Sequence, residues 1–429
     1  MRKKYGIGDN LRMFHTLTYL NTFANKHALT AMAGYEVSRL DANYSDVHAT
    51  GFPSSLSFPE SMGLADLTET GGGKLFPDPE TPGAPSYNRG VSFFGRLNYA
   101  YDEKYLLQAI FRRDGYDRFG PQNRYANYPS FSAGWNIVRE SFIKNNAPWI
   151  SLLKLRGSWG TIGNSNIAQF LYEAYFTKTN AWSGYVLQRL PNYGIKPEKV
   201  IQTDIGLETG FFNNRLNLTL EYYNKNTTDM LYPTTLSGSS GVINKTYWTN
   251  VGDVNNRGYD IFLQWRSLYR DFKYDIAFTL SHNKNEVLKL SDEINPRKKE
   301  NVEFNESYIT YAGIPMGQMY GYIADGIIGS KEELDALNAN AKANGYQYYQ
   351  YMGTAIGDFK YRDISGPNGV PDGRIDDYDK TIIGNPWPNF TYGLNINLEW
   401  KGINLSMGWV GAGKFDVFNS SSSNALISK

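Results

Sequence analysis

Apolar and polar side chains alternate between Val91 and Phe111, with the period of a β-strand rather than that of a helix. The alternation is interrupted once, at Asp102-Glu103-Lys104, and then resumes. It therefore predicts a hairpin of two strands, each of about ten residues, joined by a very short turn. A strand tilted by roughly 40° needs about that length to cross the hydrocarbon core of a bilayer. The tyrosines beside the turn would then meet the lipid headgroups.

The alternation also assigns the side chains of each strand to one of two faces. In a membrane barrel the polar set faces the lumen and the apolar set faces lipid. The predicted lumen set is Arg96, Asn98, Gln108, Lys154, Arg156, Thr219, Glu221, Asn395 and Asn397, and the predicted lipid set is Leu97, Leu107, Leu155, Leu218, Ile396 and Leu405.

Similar segments recur along the chain and predict about twelve strands, from a first pair at 11–20 and 28–37 to a last pair around Lys401-Gly402. Short turns alternate with long connections that are rich in Gly, Pro, Asn and Ser. Outer-membrane barrels keep short turns on the periplasmic side and long loops outside. A soluble sandwich gives the same alternation within a strand but not this asymmetry of connections. The sequence therefore favours an all-β fold, an antiparallel transmembrane β-barrel.

Composition narrows the functional classes. The chain carries 43 basic and 42 acidic side chains, so no strong field argues for nucleic acid as a partner. Cysteine is absent, which excludes disulfides and thiolate metal sites. No apolar run approaches the roughly 18 residues of a membrane helix. The four histidines are scattered, and neither a nucleophile elbow nor a phosphate loop is present, so we do not expect an enzyme.

The acidic stretch at 358–379 is the candidate metal site. Its segment Asp372-Gly373-Arg374-Ile375-Asp376 resembles the second half of an EF-hand-like calcium loop, and Ca²⁺ prefers six to eight oxygen ligands. A solvated acidic turn is an equal alternative, because Val370 occupies a ligand position and 365–371 interrupts the spacing. The predicted Ca²⁺ ligands are Asp363, Asp372, Asp376 and Asp379.

The same part of the chain, residues 282–389, is predicted to be a long extracellular loop region. It contains a capping box at Ser330 that should open a helix reaching about Ala343.

Aromatic residues in the long connections are candidates for substrate binding, because flat rings stack on sugars. The alternative is that they pack the loops together or form the interfacial belt. The candidates are Trp182, Tyr185, Tyr193, Trp248, Tyr349 and Trp387.

Several motifs occur in one order along most of the chain. They include Asp114-Gly115-Tyr116-Asp117-Arg118-Phe119-Gly120, Tyr128-Pro129-Ser130-Phe131-Ser132-Ala133-Gly134-Trp135, Leu153-Lys154-Leu155-Arg156-Gly157-Ser158-Trp159-Gly160, Lys196-Pro197-Glu198 and Asn250-Val251-Gly252. Together they resemble the SusC/RagA-type TonB-dependent outer-membrane transporters of Bacteroidota.

The resemblance implies import of an oligosaccharide or a peptide across the outer membrane, powered through TonB and shared with a SusD-like lipoprotein. The family barrel has 22 strands and follows a plug domain and a TonB-contacting segment. We therefore expect residues 1–429 to form a partial barrel domain, surrounded by outer-membrane lipid and coupled to TonB through an N-terminal part of the protein that is not seen in this sequence. A surface-exposed binding or adhesion protein without transport is the alternative.

Overall fold

The computed structural model describes residues 2–50, 67–72, 86–167, 170–178, 184–236, 238–243, 246–267, 271–290 and 308–419. Two α-helices, α1 (Ser141–Asn146) and α2 (Lys331–Ala343), accompany the strands. In chain order the strands are β1 (Arg2–Phe23), β2 (His27–Thr50), β3 (Leu67–Gly72), β4 (Ser86–Tyr101), β5 (Tyr105–Tyr116), β6 (Tyr125–Asn136), β7 (Ile150–Asn164), β8 (Tyr175–Lys178), β9 (Tyr185–Arg189), β10 (Glu198–Phe211), β11 (Leu216–Thr235), β12 (Thr246–Ser267), β13 (Phe272–Leu290), β14 (Tyr308–Ile309), β15 (Gln318–Gly321), β16 (Ala324–Ile327), β17 (Phe359–Tyr361), β18 (Thr381–Gly384), β19 (Phe390–Trp400) and β20 (Ile403–Gly413).

One large sheet contains most of these strands. Its order is β1-β2-β4-β5-β6-β7-β10-β11-β12-β13-β19-β20, so each long strand pairs with the next long strand along the chain, and β3 adds to β2. The pairs from β1 to β12 whose registers are described are antiparallel. The predicted twelve-strand antiparallel sheet is confirmed.

The first two strands are longer than the alternating segments predicted. Their pairing continues without a break from Arg2 with His48 to Phe23 with His27, whereas the prediction covered 11–20 and 28–37. Backbone hydrogen bonds between strands do not require apolar side chains. The strand pairing can therefore extend beyond the segment in which apolar and polar side chains alternate.

The connections between β4 and β5 and between β10 and β11 form tight turns with left-handed backbone. Asp102 and Glu103 have φ of 51° and 53°, and Phe212 to Asn214 have φ between 54° and 59°. Such turns match the right-handed twist of the flanking strands and hold the hairpin register.

The two side-chain faces separate as predicted where the register is described. Asn98 lies opposite Gln108, whose Nε2 donates to Asn98 Oδ1 at 2.7 Å. Arg156 and Glu221 share that polar face, since Arg156 Nη2 donates to Glu221 Oε2. Leu107 and Leu155 lie on the other face, where they are 54% and 43% exposed. Exposed leucines over a whole face are costly in water and favourable in lipid.

Aromatic rings line the short-turn end of the apolar face. Tyr105 stacks on Tyr101 and on Trp135 with ring centroids 6.3 Å apart in each pair. Trp149 stacks on Phe211 at 5.6 Å. Amphipathic rings at one level of a sheet are typical of the boundary between hydrocarbon and headgroups.

The chain divides into two compact units, residues 1–277 with 396–406 and residues 278–395 with 407–429. The second unit contains α2 and the small sheets β14-β15-β18 and β16-β17. Ser330 caps α2 by accepting a hydrogen bond from Glu333 N, as the sequence predicted. Among the described residues, no helix is long and apolar enough to cross a membrane.

Candidate functional site

A network of charges crosses three strands on the polar face of the first unit. Arg156 on β7 donates from Nε to Glu208 Oε1 on β10 at 2.9 Å and from Nη2 to Glu221 Oε2 on β11 at 2.7 Å. Lys154 Nζ lies 3.7 Å from Glu208 Oε2. One guanidinium therefore serves two carboxylates, and the face presents paired charges rather than a single sign.

A second network joins earlier strands on the same face. Arg112 donates from Nε to Asp114 Oδ1 at 2.6 Å and from Nη2 to Ser92 Oγ at 2.9 Å. Arg112 Nη2 also lies 3.5 Å from Glu36 Oε2, and Glu36 forms an ion pair with Arg12. Asp114 is the first residue of the Asp114–Gly120 motif, so the motif begins on the polar face and continues into the connection between β5 and β6.

A recess of about 450 Å³, lined by both polar and apolar residues, lies beside the first network. Amide, hydroxyl and cationic groups give it hydrogen-bonding capacity for a polar solute. The polar side chains that line it are Thr30, Asn98, Gln108, Ser132, Lys154, Arg156 and Ser158.

The motif residue Phe119 is the centre of a small core between the long connections. Its side chain is fully buried and contacts Ile167, Leu171 and Ile195, with Trp248 packed against the cluster. The residues come from three separate connections of the chain. The motif therefore anchors the loops to one another.

Side-chain amides and a guanidinium reinforce this anchoring. Arg118 donates to Ile167 O at 2.7 Å, and Asn123 donates to Gly194 O at 3.1 Å. Asn192 donates to Trp248 O at 2.8 Å. Hydrogen bonds to loop carbonyls replace the regular ladder that these segments lack.

A third anchor was missed by the sequence reasoning. Asn250 donates to Asp229 O at 2.7 Å and accepts from Lys196 N at 3.1 Å, and the Lys196 ammonium pairs with Asp229 at 2.9 Å. The motifs containing Lys196 and Asn250 were recognised, but their contact spans more than fifty residues and leaves no local signal.

The structure gives the aromatic candidates of the first unit different environments. Tyr185 and Tyr193 are 74% and 70% exposed, so their rings are open to a ligand. Trp248 packs on the Phe119 cluster instead. Trp182 lies outside the described residues.

The two candidates of the second unit are held by hydrogen bonds. Tyr349 is buried against Ala341 and Ile375, and its hydroxyl donates to Tyr361 O at 2.6 Å. Burial raises the pKa of Tyr349 to about 12. Its ring packs in the interior of the unit and offers no face to a sugar. Trp387 remains 44% exposed, with Nε1 donating to Met316 O.

The four predicted calcium ligands bind backbone N–H groups. Asp379, which is fully buried, accepts from Ile364 N and Asp376 N, both at 2.8 Å. Asp363 accepts from Gly373 N, and its burial raises the pKa of its carboxyl. Asp372 and Asp376 accept from Arg374 N and Tyr378 N. These carboxylates therefore organise the turn at 363–379 through its own backbone.

Within the ranges that the structure describes, no three acidic or histidine side chains are grouped so that they could hold a metal ion. The calcium site stays a prediction. If it forms, calorimetric titration of the full-length protein with Ca²⁺ should show a site that Asp372→Ala and Asp376→Ala remove, whereas Asp335→Ala on α2 should leave it intact. Absence of heat above the dilution background would contradict the site.

Comparison with known proteins decides the family. The family described as TonB dependent receptor-like, beta-barrel, matches residues 4–408. The chain belongs to that family. Its sheet accordingly has the fold of a TonB-dependent receptor barrel, and the chain is an outer-membrane protein.

Relatives of SusC type support the assignment. TonB-dependent receptor P3 of Formosa agariphila is 32% identical over 333 residues, which cover 74% of this chain and 31% of that protein. TonB-dependent receptor SusC of Bacteroides thetaiotaomicron is 27% identical over 330 residues, covering 74% of this chain and 30% of that protein. The chain thus spans about three tenths of the length of these curated relatives.

A solved structure, that of the RagAB peptide transporter, matches with a TM-score of 0.73 at 25% identity. The match covers 95% of this chain and 41% of that chain. The SusC/RagA resemblance read from the motifs is confirmed.

Proposed function

We propose that this chain forms part of the barrel of a TonB-dependent importer. The importer would carry a polymeric nutrient, an oligosaccharide or a peptide, across the outer membrane. The observation that carries the proposal is the match of 95% of the chain to the RagAB peptide transporter. The similarity to SusC over 74% of the chain supports it independently.

The polar face fits the passage of a hydrophilic solute. In the Arg156 and Arg112 networks the guanidinium groups pair with carboxylates, so these networks present no strong single-sign field that would trap a charged solute. A protein that served only in adhesion would not need a polar face along its membrane-spanning strands. The polar face therefore favours import over surface binding without transport.

Two partners follow from the proposal. The long connections, with residues 282–389 as the largest, would lie outside the cell, where a SusD-like lipoprotein would share the substrate. The short turns would face the periplasm. TonB would supply energy from the inner membrane through another part of the whole protein.

Tyr185 and Tyr193 are the best candidates in the first unit for contact with the substrate, because their rings are the most exposed of the aromatic candidates that the structure describes. A stacked ring contributes about 0.5–1.5 kcal/mol, so replacing both should weaken substrate binding about tenfold. Calorimetry with the transported oligomer on Tyr185→Ala/Tyr193→Ala protein measures this. Phe142→Ala, an exposed aromatic at the short-turn end, is the control, and equal losses in both proteins would remove the assignment.

Growth tests the proposed function itself. A strain that lacks the parent gene, supplied with one glycan or one peptide mixture at a time, should fail on one nutrient and recover when the gene is restored. Uptake of that labelled nutrient should stop when TonB is inactivated, although surface binding persists. Unchanged growth and uptake on every nutrient of the panel would contradict import.

A further inference from the structure

The connection between β6 and β7 lies at the same end of the sheet as the short turns but contains a helix. Residues 137–149 form a 3₁₀ turn, the six-residue helix α1 and a return to β7. Phe142 on α1 and Trp149 after it are 53% and 51% exposed. This connection lies at the level of the aromatic rings at the short-turn end of the apolar face, since Trp149 stacks on Phe211 and Phe212.

A groove of about 450 Å³ runs along this connection. Its walls are mainly apolar, with two basic residues among them. The lining residues are Val138, Arg139, Ile143, Lys144, Ala147, Pro148 and Ile150. An apolar slot with cations beside it has the two chemistries of a phospholipid, an acyl chain and a phosphodiester.

The charges around the groove are of both signs. Lys144 lines the groove and is exposed. Arg139 pairs with Glu103, which is itself 68% exposed and can accept further donors. By contrast, Glu140 accepts hydrogen bonds from Tyr105 and Trp135 and forms an ion pair with Lys104. A cation and an accessible carboxylate side by side suit a headgroup that carries both a phosphate and an ammonium.

We propose that the groove at 138–150 binds one zwitterionic phospholipid of the phosphatidylethanolamine type. The phosphodiester would meet Lys144 and Arg139, the ammonium would meet Glu103, and an acyl chain would lie along Val138, Ile143 and Ile150. The proposal rests on the orientation given under the proposed function, in which the short-turn end meets the periplasmic leaflet.

Native mass spectrometry of the full-length protein in detergent, with added phosphatidylethanolamine, tests the site. The wild type should retain one lipid, and Arg139→Ala/Lys144→Ala should lower the lipid-bound fraction at least about tenfold, because charged hydrogen bonds to the phosphate are lost. Ala147→Leu should fill the groove and give a similar loss without changing any charge. This second variant separates loss of the site from loss of the Arg139–Glu103 ion pair.

Lys26→Ala is the matched control, since it removes a lysine from another short turn without touching the groove, and it should retain the lipid. Equal retention by all proteins, equal loss in Lys26→Ala, displacement of the lipid by inorganic phosphate, or equal binding of phosphatidylglycerol would each overturn the proposal. The readout is lipid mass rather than uptake, so failure of import would leave this result unchanged, and failure here would leave import intact.

Discussion

Phe119→Ala should release the long connections of the first unit from one another. The ring is fully buried, and a large-to-small change of a buried phenylalanine costs about 3–5 kcal/mol. The strands keep their backbone hydrogen bonds in the variant. The substitution should therefore lower the free energy of local opening of the loops rather than unfold the sheet. Protease cleavage within 165–195 of the full-length protein should therefore become at least about a hundredfold faster.

The control for this prediction is Phe111→Ala. It makes the same chemical change on β5, where Phe111 is 51% exposed on the apolar face. Cleavage in 165–195 should stay at the wild-type rate. If Phe119→Ala also left cleavage unchanged, the motif would have no anchoring role.

Asp379→Ala should open the turn at 363–379. The carboxylate is buried and accepts from Ile364 N, Ser365 N and Asp376 N at 2.8, 3.2 and 2.8 Å. Each partly buried donor left without its acceptor costs about 1–2 kcal/mol, so the total should be about 3–6 kcal/mol. Hydrogen exchange should show faster exchange of these three amides by about a hundredfold or more.

Asp377→Ala gives the matched comparison in the same turn. Its carboxylate is 82% exposed and forms a surface ion pair with Lys380, so the change should cost less than about 0.5 kcal/mol. Adding Ca²⁺ separates the two roles of the turn. Protection that depends on Ca²⁺ in the wild type would mean that metal, rather than the backbone bonds to Asp379, organises the segment.

The sheet was predictable because its signal is local. Alternation at 91–111 needs only neighbouring residues, and the same is true of the Asp102-Glu103-Lys104 turn and of the cap at Ser330. The extensions of β1 and β2 were missed because backbone pairing continues where side-chain alternation no longer reports it.

The site was only partly predictable because its contacts are distant in sequence. Phe119 meets Ile195, and Lys196 meets Asn250, with no periodicity that links the partners. Tyr349 looked like other loop aromatics, yet it is buried while Tyr185 is exposed. Burial in irregular loops depends on tertiary packing, which composition and spacing do not encode.

The central claim is that one face of this sheet meets lipid and the other a water-filled lumen. The 429 residues contain no cysteine, so each introduced cysteine reports one position of this chain. Fluorophores attached at Leu107→Cys and Leu155→Cys in the liposome-reconstituted full-length protein should be quenched by spin-labelled lipid. Those attached at Gln108→Cys and Lys154→Cys should be quenched by iodide from the aqueous phase. Lipid quenching that is equal at neighbouring positions, or strongest at Gln108 and Lys154, would contradict the account.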